Sequence, residues 1–456
     1  MPTATVRRMR YRVFLPLLLL LSFSLAAQPI TEKLTVEVID VPVFVARGDS
    51  AVEGLTRESF ELYVNGKRTP IEYFEAVASA DEATTLRERR LFLLLFDVAF
   101  SHPLALPRAQ RAAAQLIAKA SPADYFAVAT YSNRRGVWFA APFTRDRAAL
   151  TRALRSLDNS RSGDPLAIVL TASERAITGR FEVATESPRD IQLAELRRAA
   201  EDQIVGLAEV SERLAALEGQ KHVFLLSEGW DGSGGLLAPS LIDDLTAMHR
   251  RFHSSGVFLH ALDLEGAGTL MADDGLRGMT HGTGGKFVAR NNLVTALSNL
   301  SDSLDRGYRL GFRPVDAKPG YNTIEVKVRN AGRVQVNHRP GFSTETESAN
   351  VDDGLYLADV VLNDVPQTGT AATLALSEGT LSVRIPMREV AAQARKAELL
   401  VYAFSADGKA LMYHREVIEV TGEEEKIFAI AMPEGTKVAK ALLRVDGELG
   451  FSKVST

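Results

Sequence analysis

Acidic and hydroxyl side chains follow two short apolar runs of this sequence, at the point where each run ends. Residues 91–96 are followed by Asp97, with Ser101 four positions later, and residues 223–226 run towards Glu228. Runs this short and this rich in Leu, Phe and Val indicate central strands that are buried on both faces. Because the carboxyl ends of parallel strands share one edge of a sheet, both acids are expected at one site. Oxygen ligands are what hard cations such as Mg²⁺ prefer, so the pattern predicts a cation site there.

Composition limits the classes to which the protein can belong. The chain has 456 residues, 46% hydrophobic and 24% charged, which is ordinary for a globular protein and leaves room for two or three domains. A net charge of -4 and a pI near 6.1 indicate no general attraction to nucleic acid or anionic membranes, so no nucleic-acid partner is expected. Cysteine is absent from the sequence, which excludes disulfides, thiolate metal sites and a lipid-modified cysteine.

The N-terminus has the pattern of a signal peptide. Four arginines between residues 7 and 12 precede an apolar stretch at 13–21, and the small residues Ala26 and Ala27 are candidate cleavage positions. The apolar stretch is shorter than the roughly 20 residues that span a bilayer. We therefore expect residues 1–27 to be removed and the protein to be secreted or periplasmic. Membrane attachment is expected only if this segment stays uncleaved.

The remaining sequence divides into segments with different periodicity. Residues 28–80 alternate apolar and polar positions and contain an Asn-Gly pair at 65–66, which predicts a β module with a hairpin. Strands and helices alternate over 88–312, strands at 313–345 are expected to complete the N-terminal module, and 355–456 has the short strands of a β-sandwich. The predicted fold is α/β. A doubly wound, mainly parallel sheet is flanked by small β modules and a C-terminal β-sandwich.

The order of these segments resembles that of the von Willebrand factor type A domain, and more specifically that of the bacterial secreted VWFA-related proteins. The likeness covers about residues 30–345. The stretches that carry it are 55–60, 283–287, 308–314 and 337–342. Domains of this family have a metal-ion-dependent adhesion site, with an Asp-x-Ser-x-Ser loop, a Thr on a second loop and an Asp on a third. The resemblance therefore implies an A-like domain with a site of this kind.

Matching this motif to the sequence gives a degenerate site. Asp97 matches the first Asp and Ser101 the second Ser, whereas Ala99 stands where the first Ser belongs. Asp164 replaces the Thr, and Glu228 replaces the last Asp. The resemblance implies that Asp97, Ser101, Asp164 and Glu228 hold Mg²⁺, or else Mn²⁺ or Ca²⁺. The three changed positions leave a site without metal as the alternative.

The function that the resemblance implies is a secreted, non-enzymatic, adhesion-type module that binds a protein partner through the loops at this sheet edge. No catalytic residue is assigned, and an enzyme is not expected. Two alternatives stay open at this point. One is an extracytoplasmic hydrolase that uses the same acidic edge for a catalytic metal, and the other is a structural envelope scaffold with a vestigial site.

Overall fold

Five β-sheets organise the part of the chain that the structure describes. The computed structural model describes residues 38–48, 50–78, 85–157, 188–230, 239–266, 273–344, 354–420 and 422–456. None of the helices in these ranges is both long enough and apolar enough to cross a membrane. Strands and helices are numbered along the chain.

The strands are β1 (Ile39–Arg47), β2 (Ser50–Ala51), β3 (Phe60–Val64), β4 (Lys67–Thr69), β5 (Tyr73–Ala78), β6 (Arg90–Asp97), β7 (Tyr125–Ser132), β8 (Gly136–Thr144), β9 (Gln220–Ser227), β10 (Val257–Asp263), β11 (Phe287–Ala289), β12 (Arg306–Phe312), β13 (Tyr321–Val328), β14 (Gln335–His338), β15 (Gly341–Ser343), β16 (Thr373–Ser377), β17 (Thr380–Ile385), β18 (Lys396–Phe404), β19 (Ala410–Glu419), β20 (Lys426–Ala431), β21 (Val438–Val445) and β22 (Glu448–Ser455). The helices are α1 (Leu106–Lys119), α2 (Arg147–Ser156), α3 (Pro188–Ala215), α4 (Pro239–Ser255), α5 (Asp273–His281), α6 (Leu293–Asp302), α7 (Gly354–Asn363) and α8 (Met387–Ala391). A 3₁₀ turn spans Arg57–Ser59.

Two antiparallel sheets form a sandwich from strands of residues 39–78 and strands of residues 306–343. One sheet has the order β14-β1-β12-β5, with β2 beside β1, and the other has the order β15-β13-β3-β4. Alternating apolar residues such as Val43, Leu62 and Leu310 fill the space between them. The β3–β4 hairpin turns at Asn65 and Gly66, both with positive φ, as the Asn-Gly pair predicts.

The strand β12 belongs to this sandwich in the structure. It pairs antiparallel with β1 on one side and with β5 on the other. Residues 306–312 were expected at the end of the alternating segment 88–312. The pairing of β12 with strands more than 200 positions earlier is non-local, so no local pattern could indicate it.

The central sheet has the order β11-β10-β9-β6-β7-β8. All neighbouring strands are parallel except β7 and β8, which form an antiparallel pair. Apolar residues of α1, α2 and α6 cover one face, and those of α3, α4 and α5 cover the other. Every residue of β6 is buried, because this strand lies in the middle of the sheet between two helical layers.

The C-terminal part is a second sandwich, preceded by a helix. Its two antiparallel sheets have the orders β16-β17-β20 and β19-β18-β21-β22, and one apolar core lies between them. The helix α7 covers the outer side of the second sheet with residues such as Val360 and Val361. The same helix contacts the central part, where Arg89 and Asp359 form a buried two-pronged ion pair, with N–O distances of 2.9 and 2.6 Å. The sequence analysis did not predict α7.

The fold class expected from the sequence is wrong for this chain. About 41% of the described residues lie in strands and 28% in helices, and only one of the five sheets mixes parallel and antiparallel pairs. The protein is therefore a mainly-β, multi-sheet protein and not a doubly wound α/β protein. The alternation of strands and helices in the middle of the sequence dominated the expectation. The segments on either side build the other sheets from hairpins and from strands that pair over long distances.

Two sequence predictions lie outside the described residues. These are the signal peptide at 1–27 and the residue Asp164. The domain boundaries stay a prediction.

Candidate functional site

Asp97 is the last residue of β6, and its side chain is completely buried. It reaches this position because β6 runs between β7 and β9, so that its carboxyl end lies in the middle of the sheet edge. Transfer of a carboxylate from water to a protein interior is costly unless hydrogen bonds replace the lost hydration. The partners of this carboxylate therefore determine what the site can do.

Four hydrogen bonds engage the Asp97 carboxylate. Its Oδ1 accepts bonds from the backbone N–H groups of Ala99 (2.9 Å) and Phe100 (3.0 Å). Its Oδ2 accepts bonds from the Ser227 hydroxyl (2.6 Å) and from the side-chain amide of Gln203 (2.7 Å). An ionised carboxylate has about four acceptor positions. The protein itself supplies a donor to each of them.

Gln203 lies on α3 and is the partner that the sequence analysis missed. Its amide oxygen accepts a bond from the Trp230 indole N–H at 2.9 Å. Because an indole N–H can only donate, this bond orients the amide oxygen towards Trp230 and the NH₂ group towards Asp97. Gln203 is buried beside the apolar residues Ala200 and Ile204 of the same helix. A glutamine on the apolar face of a helix is the signal that could have revealed it.

Ser101 and Glu228 join the two loops that follow β6 and β9. The Glu228 backbone N–H donates to the Ser101 hydroxyl oxygen at 3.2 Å. In return, the Glu228 carboxylate accepts a bond from the His102 backbone N–H at 2.5 Å. Ser227, one residue earlier, accepts a bond from the Gly229 N–H at 2.9 Å while it donates to Asp97. These reciprocal bonds hold the two loops against each other.

Burial has the largest effect on the charge state of Asp97. Desolvation raises the pKa of this carboxyl above its ordinary value, and the bonds from Ser227, Phe100, Gln203 and Ala99 lower it again in part. The neighbouring phenol of Tyr131, at the paired position of β7, also has a raised pKa, mainly because of burial. The charge on Asp97 is therefore held by hydrogen bonds from the protein and not by solvent.

The structure brings three of the four predicted metal ligands to one sheet edge. Asp97, Ser101 and Glu228 lie on adjoining loops, whereas Asp164 is outside the described residues. No group of three or more His, Asp or Glu side chains that could hold a metal occurs within the described ranges. A cation needs acceptor atoms, and here an NH₂ group, a hydroxyl and two N–H groups already donate to Asp97. The described residues do not fit a cation at this carboxylate, and the metal assignment stays a prediction.

Above this network, the ends of β6 and β7 present an exposed surface that we call the loop face. Its members are Val98, His102, Leu104, Arg134 and Arg135. The side chains of Val98 and Leu104 are 40% and 75% exposed. The backbone N–H of Val98 donates to the Tyr131 carbonyl at 2.9 Å, which joins the loop after β6 to the end of β7. The loop face thus combines exposed apolar side chains with two arginines.

Comparison with solved structures gives distant matches. No protein-family model and no curated protein matches the sequence. Among solved structures, the conserved hypothetical protein BatB from Bacteroides thetaiotaomicron matches with 12% identity and a TM-score of 0.26, over 47% of this chain and 98% of that chain. The three N-terminal domains of the type V pili tip protein Mfa5 from Porphyromonas gingivalis match with 8% identity and a TM-score of 0.28, over 92% of this chain and 76% of that chain. At TM-scores this low, neither match assigns a fold or a function to this chain.

Proposed function

We propose that this chain is an exported, non-enzymatic protein-binding module, related to the bacterial secreted VWFA-related proteins, which docks a partner protein through its loop face. The observation that carries the proposal is the exposure of Val98 and Leu104 on one loop. Hydrogen bonds to Asp97 and Glu228 restrain the backbone of this loop. The buried centre of a protein interface is more apolar than its rim, so exposed apolar side chains on an ordered loop suit this position.

The anchoring of the loop supports this proposal. The bonds of Phe100 to Asp97 and of His102 to Glu228 restrain the backbone on both sides of Ser101. A loop that is ordered before binding loses less conformational entropy when a partner docks. An exposed apolar residue on a restrained loop is therefore better suited to recognition than one on a loose loop.

The charges on the loop face favour an acidic partner. Arg134 and Arg135 are exposed in the β7–β8 turn, and neither forms an ion pair with a residue in the described ranges. Arginine is enriched at protein interfaces, where its planar group binds carboxylates with two hydrogen bonds. We expect a partner surface that offers an apolar side chain beside one or more carboxylates.

The state of the acids at this edge supports a binding role over hydrolysis. A general base or a metal ligand needs a free carboxylate oxygen directed at its substrate or ion. Asp97 already accepts four bonds from the protein, so neither of its oxygens is free, and Oε2 of Glu228 accepts the His102 N–H. Both acids support the loops, and this arrangement favours a scaffold for docking.

A capture experiment with a matched control tests the proposal. The purified exported protein is immobilised and exposed to the secreted and envelope proteins of the organism that produces it. We expect the double variant Val98→Ser/Leu104→Ser to lose a captured protein that the wild type retains. Val315→Ser is the control, because Val315 is 85% exposed but lies on the N-terminal sandwich. Equal capture by the wild type and the double variant would contradict docking through the loop face.

Export is tested separately. The signal-peptide pattern predicts that the exported protein begins directly after Ala26 or Ala27. N-terminal sequencing of the exported protein measures this. A chain that begins at Met1, or that is recovered only from the cytosol, would contradict it.

A further inference from the structure

We propose that the Gln203 amide takes the place of a cation at Asp97, so that the loop face is positioned by hydrogen bonds alone. The inference goes beyond the proposed function, because it concerns how the loops are held and not what they bind. Gln203 is a positioning residue in this proposal, since it acts through Asp97 and not on a partner.

The direction of the Gln203 amide is fixed by its two partners. Trp230 can only donate, so the amide oxygen of Gln203 must face it and the NH₂ group must face Asp97 Oδ2, 2.7 Å away. A positively polarised donor therefore lies against the carboxylate at hydrogen-bond distance. A cation cannot bind the same side of Oδ2 unless this amide leaves.

The amide has no alternative position of equal quality. Gln203 and Trp230 are both buried, and a rotated amide would direct its NH₂ group at the indole donor and its oxygen at the carboxylate. Both bonds would then become repulsive contacts in an environment where water cannot replace them. A buried polar group that loses its partner is costly, so the two bonds are made or lost together.

The Asp97 carboxylate links this network to the loops. Asp97 receives the backbone N–H groups of Ala99 and Phe100 on its other oxygen, and Ser227, which also bonds to Oδ2, accepts the Gly229 N–H. Both loops of the site are thus connected to α3 through one carboxylate. Hydrogen bonds within the protein therefore hold the two loops together, as a bound ion would otherwise do.

Exchange of the donor and the acceptor tests this inference. Gln203→Glu keeps the shape of the side chain and its acceptor for Trp230, but replaces the donor to Asp97 with an oxygen. We expect a melting temperature several degrees below that of wild type. Asp97→Asn in the Gln203→Glu background restores a donor and an acceptor across the same gap, so the double variant should recover most of the loss. Gln393→Glu, the same change at an exposed amide, is the control.

A metal titration completes the test. A ligand that binds only the folded state raises its melting temperature by mass action. We expect the full-length wild type to show no change in melting temperature with added Mg²⁺ or Mn²⁺. The inference is overturned if wild type shows a metal-dependent rise that Asp97→Ala abolishes. It is also overturned if Gln203→Glu is as stable as wild type, or if the losses of the two single variants add in the double variant. These melting temperatures do not depend on capture of a partner. The inference can therefore be wrong while the proposed function holds, and the reverse.

Discussion

A buried pair of histidines predicts that acid destabilises the central sheet. His222 on β9 stacks between Phe92 and Phe258, with ring centroids 5.4 Å from each, and its Nδ1 lies 3.2 Å from Nε2 of His260. The backbone N–H of Lys286 donates to Nδ1 of His260, so Nε2 of His260 carries the proton and donates to His222. The remaining N–H of His222, at Nε2, has no acceptor among the residues that the structure describes. Both rings are therefore neutral and enclosed.

The direction of the pH effect follows from this burial. Desolvation first, then the charges of Arg90 and Lys286, lower the pKa of His222 from its ordinary value of 6.5 to about 3. As the pH falls through 6.5, the unfolded chain takes up a proton at this position, while the folded chain does not until about pH 3. The contribution of His222 to the free energy of unfolding is therefore fully present above pH 6.5 and is lost as the pH falls below it. The loss is about 1.4 kcal/mol per pH unit, or about 2 kcal/mol between pH 7 and pH 5.

The substitution His222→Phe removes this titration. It also removes one buried N–H without an acceptor and leaves another, at Nε2 of His260, so the change in stability at pH 7 should be small. Urea unfolding at pH 7 and pH 5 measures the effect. It is followed by the fluorescence of Trp138, in β8, and Trp230, in the loop after β9. Wild type should lose about 2 kcal/mol more than the variant between these pH values.

A control separates titration from packing. Phe258→Leu removes a ring beside His222 but no titratable group, so its effect on the free energy of unfolding should be equal at both pH values. If His222→Phe loses as much stability as wild type between pH 7 and pH 5, the reasoning is refuted. That result would mean that His222 already carries its proton in the folded state. Alternatively, the sheet would already open locally between pH 7 and pH 5, so that His222 takes up a proton in both states.

The other predictions concern the interface of α7 and the loop site. Arg89→Met should cost about 3–5 kcal/mol in urea unfolding, since Asp359 would remain buried without its cation, and Asp359→Leu added to it should restore part of the loss. Ala99→Ser should create no Mn²⁺-dependent rise in melting temperature, because Gln203 still covers the carboxylate; such a rise would count against this reading. Leu104→Ser should change the unfolding free energy by less than about 0.5 kcal/mol, as expected at an exposed position.

Local pattern in the sequence was sufficient to predict that these acidic and hydroxyl side chains meet at one sheet edge. The apolar run before Asp97 predicts a buried central strand, and β6 is such a strand. Parallel strands place their carboxyl ends at one edge, which is why Ser101 and Glu228 meet there although they are 127 positions apart. The Asn-Gly pair at 65–66 predicts a hairpin because few residue pairs accept the backbone of that turn, and the hairpin is present. Each of these predictions depends on the local sequence pattern around the residues concerned.

The fold class and the role of Asp97 were decided by contacts between distant segments. β12 joins the N-terminal sandwich by pairing with β1. The sequence pattern of each strand does not indicate which strand it pairs with. Gln203 reaches Asp97 across 106 positions, and whether a carboxylate faces an ion or an amide depends on which helix packs over it. Residue type and spacing determined by themselves that an acid would stand at this sheet edge. Only the packing of α3 decided that a glutamine would be one of its partners, because hydrogen-bond partners are set by three-dimensional proximity.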